Sequence, residues 1–172
     1  KINGRVTVTG KGTLKSSLSC SGFVGATPST IHITGGEIIG ESTNSPVIRL
    51  RAANLIVEGD STVIRNENQS SGDVESRDTI SATGGVQITI RGGTIESSGG
   101  RALYIYRKGD SVLADSYASL LVEGGTITGA KYGIYNTQHN EVTIKGGTIH
   151  GDTSDIFLAH NITQIPRAPK RF

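Results

Sequence analysis

Short runs in which apolar and polar residues alternate recur along the whole chain. Typical examples are Ile88 and Ile90 on either side of Thr89, and Val142 and Ile144 on either side of Thr143. Alternation with a period of two predicts β-strands that bury one face. No window of ten or more residues has the spacing of an amphipathic helix. The pattern therefore predicts an all-β protein built from strands of three to five residues.

These strands belong to an internal repeat that is marked by the tetrapeptide Gly-Gly-Thr-Ile. The tetrapeptide begins at Gly92, Gly124 and Gly146, with a close variant at Gly35. Six units open with an alternating strand, whose first apolar residues are Val6, Ile31, Leu55, Ile88, Leu120 and Val142. The last five units also close with one, at Ile48, Ile80, Leu103, Ile134 and Ile156. Because so small a unit cannot bury its own apolar face, it must stack on copies of itself.

Stacked units form a solenoid in which successive coils lie ~4.8 Å apart in parallel ladders. Such a fold needs only a thin apolar column, which agrees with a hydrophobic content of 34%. It also needs glycine at its corners, and the chain contains 24 glycines. A sandwich of antiparallel hairpins is the alternative all-β interpretation. It accounts for the turns, but it does not explain why one motif recurs in one order.

The order of alternating strand, Gly-Gly-Thr-Ile and closing strand (for example Gly133, Ile134, Tyr135 and Asn136) resembles the right-handed parallel β-helices of the pectate-lyase-like superfamily. It is especially similar to the Gly-Gly-Thr-Ile repeat regions of bacterial cell-surface proteins. The resemblance covers about residues 5–160. It implies a right-handed parallel β-helix of about six coils over residues 1–164, with residues 165–172 as a C-terminal cap or linker. It does not assign an activity, because the superfamily contains lyases, hydrolases, phage tailspikes, carbohydrate-binding modules and adhesins.

Two units carry insertions, over residues 65–78 and residues 107–117. On a solenoid an insertion must bulge outward, because the interior is full. The first insertion lies between the second and third strands of its coil, and the second lies between two coils. They are interpreted either as tolerated surface loops or as the walls of a binding groove.

Strand alternation predicts which residues of the closing strands point outward. Tyr104, Tyr135 and Phe157 are then stacked in three consecutive coils, with arginines on one side. Aromatic rings ~5 Å apart suit the faces of sugars, and guanidinium groups suit uronate or sulfate. The candidate ligand-binding residues are Arg49, Arg51, Tyr104, Tyr106, Arg107, Tyr135 and Phe157. The alternatives are that the rings only stabilise the ladder, or that a loop covers them.

The opening strands carry a different outward column. Glu58, Arg91, Glu123 and Lys145 follow one another in consecutive units with alternating sign. We interpret this column as a solvated charge ladder that sets the register of the coils.

Net charge, cysteine content and histidine positions limit which partners and binding sites we expect. A net charge of +2 gives no reason to expect a nucleic-acid partner, and no apolar stretch is long enough for membrane insertion. Cys20 is the single cysteine, so internal disulfides and a cysteine-based zinc site are excluded. The four histidines fall at different points of their units, so no metal-ligand cluster follows. We expect no cofactor and no bound metal.

An enzyme of this superfamily would need clustered carboxylates, which hold calcium in the lyases and act in pairs in the hydrolases. The candidate groups are Asp110 and Asp115 with Arg107 in one insertion, and Asp73, Glu75 and Asp78 in the other. None lies on a regular strand, where a rigid site is expected.

The sequence therefore favours a non-catalytic β-helix domain of an extracellular, secreted or cell-surface bacterial protein. The expected role is adhesion or carbohydrate binding, with a polysaccharide or host-surface glycan as partner and the domain as part of a larger surface protein. The alternatives are a polysaccharide lyase or hydrolase, a phage tailspike-type domain, and a structural stalk with no ligand of its own.

Overall fold

The computed structural model describes residues 5–15, 17–21, 28–71, 74–106, 117–137 and 140–159. Over these ranges the chain forms eighteen strands, β1 to β18 in chain order, and one short 3₁₀ helix, η1 (Val74–Arg77). The strands form three sheets of six strands each, which we name sheets A, B and C. The C-terminal cap or linker predicted at residues 165–172 lies outside the described residues.

The bounds of the strands show that each coil contributes one strand to each sheet. Sheet A contains β1 (Arg5–Val8), β4 (Ser29–Ile33), β7 (Ala53–Val57), β10 (Gln87–Ile90), β13 (Ser119–Val122) and β16 (Glu141–Ile144). Sheet B contains β2 (Thr13–Lys15), β5 (Glu37–Gly40), β8 (Val63–Asn66), β11 (Thr94–Ser97), β14 (Thr126–Gly129) and β17 (Thr148–Gly151). Sheet C contains β3 (Leu18–Ser21), β6 (Ile48–Arg51), β9 (Ile80–Thr83), β12 (Arg101–Tyr106), β15 (Tyr132–Thr137) and β18 (Ser154–Ala159).

Each strand from β1 to β15 pairs in parallel with the strand three places further along the chain. In sheet A, for example, Leu55 lies opposite Ile88, which lies opposite Leu120. The prediction of a parallel β-helix with six coils is therefore confirmed. The sequence missed β3, the closing strand of the first coil, because only Leu18 and Cys20 mark its alternation.

The interior is a single apolar column that the three sheets surround. Ile90, Ile95 and Leu103, which come from the three sheets in one coil, are all fully buried. Burial decreases in the last described coil, where Ile156 and Leu158 continue the column but are 37% and 64% exposed. Their inward positions were predicted correctly, yet no coil follows theirs within the described residues.

The Gly-Gly pairs form the corners between sheets A and B, and each glycine is needed for its own reason. Gly125 has φ +88°, a left-handed conformation that side chains with a Cβ disfavour. Gly124 has no such angle, but a Cβ there would lie 2.6 Å from the carbonyl oxygen of Arg91 in the previous coil. The repeated pair thus lets the backbones of successive coils approach closely at this corner.

The described parts of the first insertion, residues 65–71 and 74–78, are packed against the coils. The Asn66 side chain donates hydrogen bonds to the backbone carbonyls of Ser76 (2.9 Å) and Asp78 (2.8 Å). The Asn68 side chain donates to the Ser42 carbonyl at 3.2 Å. Asn66, Asn68 and Ser76 are all buried. The described part of this insertion is therefore held to the coils by buried side-chain hydrogen bonds. Most of the second insertion lies outside the described residues.

Candidate functional site

The outer face of sheet C carries most of the predicted site residues. Its outward column consists of Ser19, Arg49, Ser81, Tyr104, Tyr135 and Phe157, one from each coil. A second column brings Arg51, Thr83 and Tyr106 into register. The candidate Arg107 lies outside the described residues.

Five rings form what we call the aromatic cluster: Tyr104, Tyr106, Tyr132, Tyr135 and Phe157. Tyr104 and Tyr106 are stacked with centroids 4.5 Å apart, and Tyr135 and Phe157 are stacked at 4.8 Å. Tyr104 meets Tyr135 edge-on, with centroids 5.7 Å apart and planes at 70°. Tyr104 and Tyr135 are half-buried, and Phe157 is exposed. The predicted column of Tyr104, Tyr135 and Phe157 is therefore present, and its rings also pack on one another.

Tyr104 is enclosed on both faces. The guanidinium carbon of Arg101 lies 3.6 Å from the centre of the Tyr104 ring, within cation–π distance. Tyr106 is stacked on the same ring with an interplanar angle of only 10°. Arg101 and Tyr106 must occupy opposite faces, because on one face the guanidinium would overlap the Tyr106 ring. Tyr104 consequently offers no free face to a ligand.

Arg101 is fixed in this position by a buried ion pair with Asp78. Its Nε and Nη2 donate to the two carboxylate oxygens of Asp78 at 2.7 Å and 2.6 Å, a bidentate geometry. The Asp78 side chain is fully buried. Burial raises the pKa of Asp78 to about 6, although the hydrogen bonds from Arg101 act in the opposite direction. Asp78 and Arg101 are therefore positioning residues, because their buried ion pair holds the Arg101 guanidinium against the Tyr104 ring.

Polar groups gather beside the aromatic cluster around a residue of η1. The Glu75 carboxylate accepts hydrogen bonds from the Ser81 hydroxyl at 3.0 Å and the Tyr106 hydroxyl at 3.4 Å. The same oxygen lies 3.5 Å from Nη2 of Arg49. We call Arg49, Arg51, Glu75, Ser81 and Tyr106 the Glu75 cluster. It combines a ring, two guanidinium groups, a carboxylate and two hydroxyls on one rigid surface.

Arg51 also interacts electrostatically with Tyr106 of the Glu75 cluster. Burial raises the pKa of the Tyr106 hydroxyl, and the Glu75 charge adds to that effect. The charges of Arg51 and Arg49 act in the opposite direction. Tyr106 therefore keeps its proton at neutral pH and acts as a hydrogen-bond donor.

Sequence reasoning missed Arg101 and Tyr132 because the alternation breaks in their strands. Ala102 and Leu103 are both buried, although they are adjacent, and the same holds for Gly133 and Ile134. A Cβ on Gly133 would lie 2.7 Å from the Asp155 carbonyl oxygen of the next coil, so the two coils approach closely there. Strict alternation places Arg101 inside, whereas its guanidinium lies over the outward Tyr104 ring. In the sequence, the signal of this broken alternation is a small residue, Ala102 after Arg101 and Gly133 after Tyr132.

The carboxylates proposed for a lyase or hydrolase do not form a catalytic group in the described part of the chain. Asp78 is buried and paired with Arg101, so it does not face a substrate. Asp73, Arg107, Asp110 and Asp115 lie outside the described residues. Within the described ranges, no group of three or more His, Cys, Asp or Glu side chains is placed to hold a metal ion.

Comparisons with known proteins add no relative. No protein-family model, curated protein or solved structure matches the chain. In the described residues there is also no helix that is long and apolar enough to cross a membrane.

Proposed function

We propose that this chain is a non-catalytic β-helix domain that binds a glycan on the outer face of sheet C. The observation that carries the proposal is the Glu75 cluster, in which the Tyr106 ring lies beside two guanidinium groups, a carboxylate and the Ser81 hydroxyl. Sugars present an apolar face that packs on aromatic rings and a rim of hydroxyls that bind polar groups. Sites built on strands also hold their geometry well.

The proposal includes a setting for the domain. The Gly-Gly-Thr-Ile repeat and the parallel β-helix support membership of the pectate-lyase-like superfamily and a place in a larger bacterial surface protein. The partner is then a polysaccharide or a host-surface glycan outside the cell, and the role is adhesion. This setting rests on the resemblance of the repeats, while the binding proposal rests on the outer face of sheet C.

A structural stalk is the second candidate, and one observation favours it. The aromatic rings stack on one another, and Arg101 covers Tyr104, as expected where aromatic pairs stabilise neighbouring strands. The two candidates make different predictions for Tyr106, which belongs both to the aromatic cluster and to the Glu75 cluster. Tyr106 contacts the ligand if the domain binds a glycan, and it only stabilises neighbouring strands if the domain is a stalk.

A glycan array probed with the purified domain distinguishes these functions. We expect binding to a defined glycan, with a roughly tenfold loss (~1.4 kcal/mol) in Tyr106→Ala, because one stacking and hydrogen-bonding ring is removed. Thr89→Ala, on the outer face of sheet A, is the matched control and keeps the parent affinity. A domain that binds no glycan, or a Tyr106→Ala variant that binds as well as the parent, overturns the proposal and leaves the stalk. Release of unsaturated sugars from a bound polysaccharide would instead indicate a lyase.

A further inference from the structure

We propose that Arg51 is a specificity-determining residue, which makes the outer face of sheet C select acidic sugars over neutral ones. This inference rests on the proposed function and names the ligand class of the same site. It follows from one exposed guanidinium group, in register with Tyr106, that pairs with no acidic side chain of the described residues.

The arginines of this face differ in whether a carboxylate neutralises them. Arg49 lies 3.5 Å from the Glu75 carboxylate, so its charge is largely compensated. Arg101 is held by Asp78 in the buried pair. Arg51 is exposed, and within the ranges given above its guanidinium group forms no ion pair. Among these groups one positive charge therefore remains uncompensated, and it is the charge of Arg51.

A gap one coil wide separates Arg51 from the Tyr106 ring. Thr83 lies between them in register and is only 8% exposed. Neighbouring strands are ~4.8 Å apart, so the backbones at Arg51 and Tyr106 are separated by ~10 Å along the sheet. Since threonine is shorter than arginine and tyrosine, the two long side chains flank this gap. A ligand that lies over Thr83 can thus contact a ring on one side and a guanidinium group on the other.

Tyr106 has one face on which a sugar can pack. Its other face is stacked on Tyr104, with ring centroids 4.5 Å apart. In the described part of the chain, no further ring or guanidinium group packs on Tyr106. The hydroxyl donates to the Glu75 carboxylate at 3.4 Å, which orients the ring. Of the guanidinium groups on this face, Arg51 is the one that is both in register with this ring and left without a carboxylate.

A carboxylate or a sulfate on the sugar supplies the partner that Arg51 lacks. A guanidinium group can donate two parallel hydrogen bonds to such an anion, and charge-assisted bonds are about twice as strong as neutral ones. A neutral sugar leaves this charge to the solvent. The Glu75 carboxylate does not oppose the preference, because the Arg49 guanidinium and two hydroxyls already bind it. An acidic sugar therefore gains a contact that its neutral counterpart does not make.

The test compares neutral glycans with their uronate and their sulfated counterparts, using the parent domain and Arg51→Gln. Glutamine keeps a polar side chain but carries no charge. We expect the parent to bind an acidic member about tenfold more tightly than the neutral one, and Arg51→Gln to reduce that preference to about onefold. A preference in either series supports the inference and identifies the acidic group. Arg91→Gln, which removes an exposed guanidinium group from the outer face of sheet A, is the matched control and leaves the preference unchanged.

Two further readouts keep the test decisive. Arg51→Lys, which keeps the charge but loses the paired donors, should give an intermediate preference. Raising the salt concentration should weaken binding of the acidic glycan more than binding of the neutral one, because salt screens the ion pair with Arg51. A parent that prefers neither acidic member, or a preference that Arg51→Gln and Arg91→Gln change equally, overturns this inference and leaves glycan binding intact. Failure to bind any glycan overturns both.

Discussion

The outer faces of sheets A and C have the same parallel register but handle charge in different ways. On sheet A, Arg91 lies 3.2 Å from Glu58 and 3.3 Å from Glu123, and Lys145 lies 3.6 Å from Glu123. The predicted charge ladder is therefore confirmed. His32 extends it by one coil, with its Nε2 at 2.6 Å from Glu58. Glu58, Arg91, Glu123 and Lys145 thus pair with one another on the exposed face of sheet A.

On sheet C, one ion pair is buried beneath the aromatic cluster. The carboxylate of the Glu75 cluster comes from the insertion. Asp78 and Arg101 form a pair with side-chain exposures of 0% and 11%, compared with 32% and 50% for Glu58 and Arg91. The comparison shows that one repeat can build two kinds of surface. Exposed charges pair along sheet A, and a buried pair on sheet C positions the aromatic cluster.

The largest expected difference between the faces is in stability. Arg101→Ala leaves Asp78 buried without its partner, and breaking a buried pair in this way costs about 3–5 kcal/mol. Arg91→Ala removes two contacts of the exposed ladder, and we expect almost no change in the unfolding midpoint. Urea unfolding of both variants measures the difference. Equal midpoints for the two variants would show that burial of the Asp78 pair has no energetic consequence.

The two faces should also respond to pH with opposite signs. The raised pKa of Asp78, about 6, means that the folded protein holds a proton which the unfolded chain releases above about pH 4. The stability due to Asp78 is therefore complete below pH 4 and is lost as the pH rises through 6, by up to about 3 kcal/mol. The difference in unfolding free energy between the parent and Asp78→Asn, measured from pH 4 to pH 7, isolates this effect.

Glu58 gives the opposite slope. Hydrogen bonds from His32 and Arg91 lower the pKa of Glu58, so its stabilising effect is present above about pH 4.5. It is lost as the pH falls through the lowered value. The parent compared with Glu58→Gln should thus lose stability on acidification, whereas the parent compared with Asp78→Asn should gain it. Slopes of the same sign would contradict the contrast between the faces.

These contrasts show what the sequence could and could not predict. The repeat determines the register, so it correctly placed Arg49, Tyr104 and Tyr135 in one column. Alternation failed at Arg101, because the adjacent residues Ala102 and Leu103 are both buried. The position of Glu75 had no signal either, since the insertion has no period and folds through buried side-chain hydrogen bonds. Local sequence patterns thus predicted the strands and their register. The positions of Arg101 and Glu75 depend on tertiary contacts, which these patterns do not show.

The insertion should be more sensitive to the loss of a hydrogen bond than sheet A is. Asn66→Ala removes the side-chain partner of the Asp78 carbonyl and of the buried Asn68 amide, and we expect a loss of about 2 kcal/mol. Asn54→Ala, on the outer face of sheet A, removes one exposed hydrogen bond to the Gln87 amide and should have a much smaller effect. Thermal unfolding of the two variants tests this order. An Asn66→Ala variant as stable as the parent would mean that the insertion is only loosely attached.

Salt should give the smallest effect. Screening weakens exposed ion pairs, so the unfolding midpoint of the parent should fall slightly between low salt and 0.5 M salt, an ionic strength at which the screening length is below about 8 Å. A variant with Arg91→Gln and Glu123→Gln lacks the centre of the ladder and should not show this decrease. An identical salt response in both proteins would show that the ladder does not contribute to stability.

The central claim, that ligands bind sheet C and not sheet A, is tested most directly by an NMR titration of backbone amides with the tightest-binding glycan from the array. We predict shifts confined to η1 and to strands β6, β9 and β12, centred on Glu75, Ser81 and Tyr106. Strands β7, β10 and β13, which carry the charge ladder, should not shift. Shifts centred on sheet A, or no shifts at the Glu75 cluster while the glycan is bound, would contradict the account.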